Sequence, residues 1–85
     1  MKTAYLLAAQ YETAVVPVER VAKDYFGGLD KETFLRKVGK GEIRLPVIRM
    51  EQSQKGARGV HVEDLARYVD ERREAALKEM RQLAG

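Results

Sequence analysis

PVERVAKDYFGGLDKETFLRKVGKGEIRLPVIRMEQSQKGARGVHV, residues 17–62, is the stretch that decides how this chain folds. Pro17 suits the first turn of a helix, where a missing N–H costs nothing. Val18, Val21, Ala22, Tyr25 and Phe26 follow at helical spacing, with Glu19, Arg20, Lys23 and Asp24 on the other face. That spacing predicts core positions for Tyr25 and Phe26. Gly27 and Gly28 stop the helix, because glycine readily takes the left-handed conformation that helix ends need. Asp30 is a good N-cap for a second helix, and Glu32 sits favourably in its first turn. Phe34, Leu35 and Val38 supply the apolar side of this helix. Lys31, Thr33, Arg36, Lys37 and Lys40 lie mostly opposite, and Gly39 and Gly41 bracket its end. Only Gly27 to Asp30 separate the two helices, so they must pack at a steep angle. That is helix-turn-helix geometry. Ile43 to Met50 and Gly59 to Val62 then read as two strands. The polar link Glu51 to Arg58 contains a glycine, as a hairpin loop would. Pro46 has no N–H to give to a ladder, so it marks an irregular entry or an edge.

The flanks extend this frame. Thr3 can cap a helix running to about Tyr11, with Ala4, Leu7, Ala8 and Tyr11 on one apolar face. Tyr5 and Leu6 widen that face. The short run Thr13 to Val16, rich in β-branched residues, suggests a small extended piece. A longer helix starts near Glu63, where Glu63 and Asp64 suit an N-terminus. Leu65, Val69, Ala76, Met80 and Leu83 make a stripe along it; Leu77 widens the stripe and Arg73 interrupts it. The expected fold is mainly α with a small β-hairpin. It is a winged helix-turn-helix within one domain, 1–85. An extra N-terminal helix covers 3–11, the helix-turn-helix 17–40, the wing hairpin 43–62 and the longer C-terminal helix 63–83.

Composition narrows the function. The chain has 85 residues, 45% apolar and 34% charged, which describes one small folded domain and not a disordered one. Cysteine is absent, so disulfides and thiolate metal sites are excluded. No apolar run is long enough to span a membrane. The run Ala4 to Ala9 is too short for a signal-peptide core, and a cytoplasmic protein is the simplest reading. His61 is the single histidine and has no second His, no Cys and no facing carboxylate pair to work with. It reads as a structural residue at a strand-to-helix junction. Nothing assembles a nucleophile, a base and an oxyanion site, so no enzyme and no cofactor are expected.

Charge points to the partner. The net charge is +3, but eight Lys/Arg and only three Glu fall between Lys31 and Arg58. Basic residues gather where a winged helix-turn-helix would meet double-stranded DNA. Arg36 is the candidate base reader, since a guanidinium can bond guanine O6 and N7 together. Thr33 could touch a thymine methyl or a phosphate, and Lys31, Lys37 and Lys40 are phosphate candidates. At the wing tip, Ser53, Gln54, Lys55 and Arg58 are candidates for the backbone or the minor groove. Leu65, Ala66 and Val69 are expected to close the core. Ala76, Leu77, Met80 and Leu83 lie beyond it. They either pack back onto the N-terminal helix or form a homodimer contact.

Several segments resemble known proteins. VPVERVAKDYFG, DKETFLRKVGKGEI, a basic hairpin and VHVEDLARYVDERR, in that order, resemble the excisionase- and MerR-like winged helix-turn-helix group. LLAAQY near the start, VPVERVAKDYFG, the SQKGARG tip and VHVEDLARYVDERR more narrowly resemble the pyocin activator protein (PrtN) family, over nearly the whole chain. The resemblance implies a small bacterial or prophage transcription activator. Such a protein would recognise a promoter element upstream of phage-tail bacteriocin genes, with RNA polymerase as a possible second partner. An excisionase-like factor that bends DNA, or a phage regulator that binds a host protein, is the alternative.

Overall fold

The computed structural model describes residues 2–53 and 55–84. The element order is α1 (Lys2–Tyr11), β1 (Val15–Pro17), α2 (Val18–Tyr25), α3 (Lys31–Gly39), β2 (Ile48–Arg49), β3 (Arg58–His61) and α4 (Val62–Ala84). The architecture is mainly helical with a small antiparallel sheet, a winged-helix-like arrangement.

α1 lies antiparallel to the first half of α4. At one end the Thr3 hydroxyl donates to Asp70 Oδ1 at 2.8 Å; at the other, the Val62 N–H donates to the Ala14 carbonyl at 2.9 Å. Leu7 and Tyr11 are buried between them. Tyr5 and Leu6 do not share that face, being 79% and 62% exposed. The buried arc of a two-sided helix is narrower than the apolar stripe the sequence offers. Tyr11 also ties α1 to α2. Its hydroxyl donates to Asp24 Oδ2 at 2.6 Å, and the Arg20 guanidinium sits 4.7 Å from its ring centroid. Burial, followed by the bond to the Asp24 carboxylate, holds the Tyr11 hydroxyl protonated well above the usual tyrosine range.

The extended piece after α1 becomes a full member of the sheet. The strand order is β1-β3-β2, so the wing is part of a three-stranded sheet and not an isolated hairpin. Val16 pairs with Val60 and Pro17 with Gly59 on one side of β3; Ile48 pairs with Gly59 and Arg49 with Arg58 on the other. Pro17 ends edge strand β1 and caps α2, one residue earlier than the first-turn position expected from sequence. A Cβ at position 59 would collide with the Val15 side chain and come within 2.9 Å of the Val16 carbonyl oxygen. Gly59 is what lets β1 approach this closely.

The first wing strand is much shorter than the expected Ile43 to Met50. Ile43 and Leu45 are buried and Arg44 and Pro46 exposed, a strand-like alternation without a ladder. Continuing the β2–β3 register would put Pro46 opposite His61, and proline has no N–H to donate. One residue further the partner chain has already turned into α4. The second strand likewise runs one residue earlier than expected, ending at His61.

Helix α2 buries Val18, Val21 and Ala22. Tyr25, expected in the core, is 37% exposed. Phe26 fills that place. Its ring meets Phe34 edge-on at 5.3 Å and Tyr68 at 5.6 Å. Gly27 and Gly28 take positive φ, and the Ala22 carbonyl accepts from both Phe26 N–H and Gly28 N–H. Phe34, Leu65, Val16, Val18, Val21 and Val60 are the largest fully buried side chains. They join α2, α3, α4 and the sheet in one core.

At the start of α4, His61 Nδ1 accepts the Glu63 N–H at 3.0 Å. The single histidine thus satisfies one of the donors a helix leaves open. Leu65 and Ala66 are buried and Val69 packs on the core. With 23 residues the helix is about 34 Å long. Its outer half runs on past the end of α1. Ala76 is exposed, Leu77 half-buried, Met80 56% exposed and Leu83 90% exposed. Among the described residues, no helix is long and apolar enough to cross a membrane.

Candidate nucleic-acid interface

The second helix of the bihelical unit is held at both ends. The Asp30 side chain accepts the Thr33 N–H at 2.8 Å, the expected N-cap. Hydrogen bonds from Thr33 hold the Asp30 carboxyl below the usual carboxylate range. At the far end, Gly41 takes a φ of +78°, its N–H donates to Val38, and the Glu42 N–H donates to the Lys37 carbonyl at 2.9 Å. This is a Schellman closure, and it ends α3 firmly before the wing.

Phe34 sets the rotation of α3. With Phe34 buried against Phe26, the opposite face carries Glu32, Arg36 and Lys40, all exposed. Lys31 and Lys37 are half-buried flankers. Lys31 Nζ lies 3.6 Å from Glu19 Oε2, and Lys37 Nζ lies 3.5 Å from Glu42 Oε1. Exposed ion pairs of this kind contribute little, so either lysine can leave its partner for another anion at small cost. Thr33 is half-buried, engaged with the cap. The sequence candidates on this helix therefore divide into two outward residues, Arg36 and Lys40, and three that border them.

On the wing, Met50 N–H donates to the Ala57 carbonyl and closes the β2–β3 connection. Ser53 and Lys55 are exposed, and Ser53 Oγ accepts the Lys55 N–H at 3.1 Å. Gln54 lies outside the described residues. Arg58 is not at the tip; it opens β3, directly opposite Arg49. Side chains alternate across a sheet, so Arg58 and Arg49 share the face on which Val60 and Val16 are buried. The pair extends that face beyond the end of the core.

Two exposed cations of this region were not named from the sequence, Arg44 and Arg49, and Glu32 was read there only as a favourable first-turn charge. Arg44 and Arg49 were visible only within the total of basic charge. The alternation Ile43–Arg44–Leu45 gave the signal for Arg44, since two buried neighbours force it outward. Arg49 needed the strand register. The four residues Ala76, Leu77, Met80 and Leu83 lie apart from α3 and the wing, on the outer half of α4. Among the described residues, no group of three or more His, Asp or Glu is placed to hold a metal ion.

No curated protein and no solved structure matches the chain. A family model does. The model described as pyocin activator protein PrtN matches residues 3–76, from α1 through the bihelical unit and the wing into α4. That family is one of transcriptional regulators and not of enzymes. Membership in the broader excisionase- and MerR-like group does not follow from this match. With the match spanning most of its length, this chain belongs to the PrtN family of pyocin activator proteins.

Proposed function

We propose that the protein is a sequence-specific DNA-binding activator of phage-tail bacteriocin genes, reading its promoter element with α3 and the wing. The observation that carries this reading is the placement of Arg36 and Lys40 on the face of α3 turned away from Phe34, in a helix fixed at both ends. A helix presented in this way can enter a major groove. Arg36 reads a guanine, Thr33 touches a thymine methyl or a phosphate, and Lys31, Lys37 and Lys40 neutralise phosphates. Ser53, Gln54, Lys55 and Arg58 meet the backbone or the minor groove from the wing. Affinity then comes mostly from phosphate neutralisation and falls with salt.

The outer half of α4 supports a homodimer through Ala76, Leu77, Met80 and Leu83, of which Ala76, Met80 and Leu83 are exposed and Leu77 is half-buried. A two-fold dimer matches paired half-sites. Activation would proceed through RNA polymerase recruited at the bound promoter. Footprinting on duplex DNA from upstream of phage-tail bacteriocin genes tests the proposal. Protection of a discrete element, with transcription from that promoter dependent on the protein, is expected. Absence of any protected element at protein concentrations that saturate random duplex would contradict it.

A further inference from the structure

The most informative residue on the outward face of α3 is an anion. Glu32 is the sole carboxylate within Lys31–Gly39, and it is exposed. It stands one turn before Arg36, at a Cβ separation of about 5–6 Å. Among the described residues it makes no ion pair and no side-chain hydrogen bond, whereas Lys31 and Lys37 are each held by a carboxylate from outside the helix. Its charge suits the first turn of the helix, but the cap bond itself is made by Asp30, which accepts the Thr33 N–H, and a first-turn charge does nothing to offset repulsion from phosphates. A carboxylate on a surface that faces phosphates costs affinity for every sequence. Only a group found on particular bases can offset that cost.

The chemistry of the major groove names the group. Base edges there present mostly acceptors, and these repel a carboxylate. The donors are the amino groups of cytosine N4 and adenine N6, and a carboxylate, which only accepts, suits cytosine N4. First-turn residues of a groove-reading helix are the ones that reach base edges. One helical turn rises 5.4 Å against about 3.4 Å per base step, so residues at i and i+4 address neighbouring or next-but-one base pairs. We infer that Glu32 is a specificity-determining residue whose carboxylate accepts from the N4 amino group of a cytosine beside the guanine read by Arg36. Thymine O4 or guanine O6 at that position meets a negative charge, so Glu32 acts as a filter as well as a contact. This assignment rests on α3 being the reading helix.

Selection from a randomised duplex library, with sequencing of the bound fraction, tests it on the full chain. Wild type, Glu32→Ala, Glu32→Gln and Arg36→Ala are compared, each checked for native helicity. The wild type should enrich cytosine at one position near the guanine whose preference Arg36→Ala loses. Glu32→Ala should lose that cytosine preference by roughly 5- to 100-fold, keep the other positions, and bind random duplex more tightly than wild type. Glu32→Gln should move the preference toward adenine, since an amide can bond adenine N6 and N7 together. Folded Ala and Gln variants with the wild-type profile at every position would overturn the assignment while leaving DNA reading intact. A wild type that enriches nothing and shows no salt-sensitive duplex binding would overturn the DNA reading itself, and the assignment with it.

Discussion

Arg49 and Arg58 stand directly opposite each other in the antiparallel pairing of β2 with β3. Like charges directly opposite each other in a sheet are destabilising. Arg49→Thr should therefore leave the protein as stable or slightly more stable in urea. The same change should weaken binding to all duplex sequences and reduce the slope of log K against log salt by about one unit. Replacing Lys55 and Arg58 together by Ala should flatten that slope by about one to two units. Slopes unchanged in both variants would remove the wing from the interface.

The bond from Tyr11 to Asp24 fastens α1 to α2. Tyr11→Phe keeps the ring in the core and under Arg20 but removes the donor to a carboxylate. It should cost about 1–2 kcal/mol in chemical denaturation. The pH dependence has a definite sign. The folded-state Tyr11 hydroxyl is raised above its ordinary value of 10.0, so its contribution is complete below pH 10 and is lost as pH rises through the elevated value. The wild type should lose stability above pH 10 more steeply than Tyr11→Phe. Parallel alkaline curves would mean the bond is not maintained in solution.

At Asp30 the sign is opposite. Its carboxyl is held below 3.8, chiefly by bonding with Thr33, so the cap is fully effective above that pH and fails as pH falls through the depressed value. Asp30→Asn keeps a capping side chain without the charge and should weaken this acid-range loss. Asp30→Ala should lower the melting temperature at neutral pH. Equal acid transitions for wild type and Asp30→Asn would exclude this carboxylate as a contributor.

The outer half of α4 gives a test of assembly. α1 starts beside Asp70, and beyond that point the described residues leave Ala76, Met80 and Leu83 exposed and Leu77 half-buried. Sedimentation at micromolar concentration should find a dimer, and Leu77→Glu with Met80→Glu should yield a folded monomer. A monomeric wild type rejects the dimer. A dimer indifferent to the double change moves the contact elsewhere, with exposed Tyr5 and Leu6 as the alternative surface.

Much of the fold was legible because local signals agree with one another. Spacing located α1, α2 and α3, Asp30 and the glycines marked the ends of α3 and α2, and Leu65 and Ala66 read directly as core. The misreadings have a common physical origin in long-range pairing. Val15 to Pro17 becomes a strand only because β3 arrives from more than forty residues away to pair with it. Residues 43–47 alternate like a strand, yet Pro46 and the early start of α4 deny them a ladder. Tyr25 and Phe26 both fit the helical spacing in sequence, and it is Phe26 that meets the rings of Phe34 and Tyr68. At the candidate site, periodicity gave the basic face of α3 but not its hierarchy. Glu19 and Glu42, which hold Lys31 and Lys37, lie outside that helix.

The most direct test of DNA reading by α3 is a salt titration of duplex binding for wild type and Arg36→Ala, on the footprinted element and on random DNA. Arg36 is exposed, opposite Phe34, on a helix closed at both ends. The wild type should prefer the element, and binding to both duplexes should fall linearly in log K against log salt. Arg36→Ala should lose about 1–3 kcal/mol on the element, collapsing the preference for it, while random-duplex binding falls only by the loss of one cation. A folded Arg36→Ala protein that retains the full wild-type preference would contradict the account.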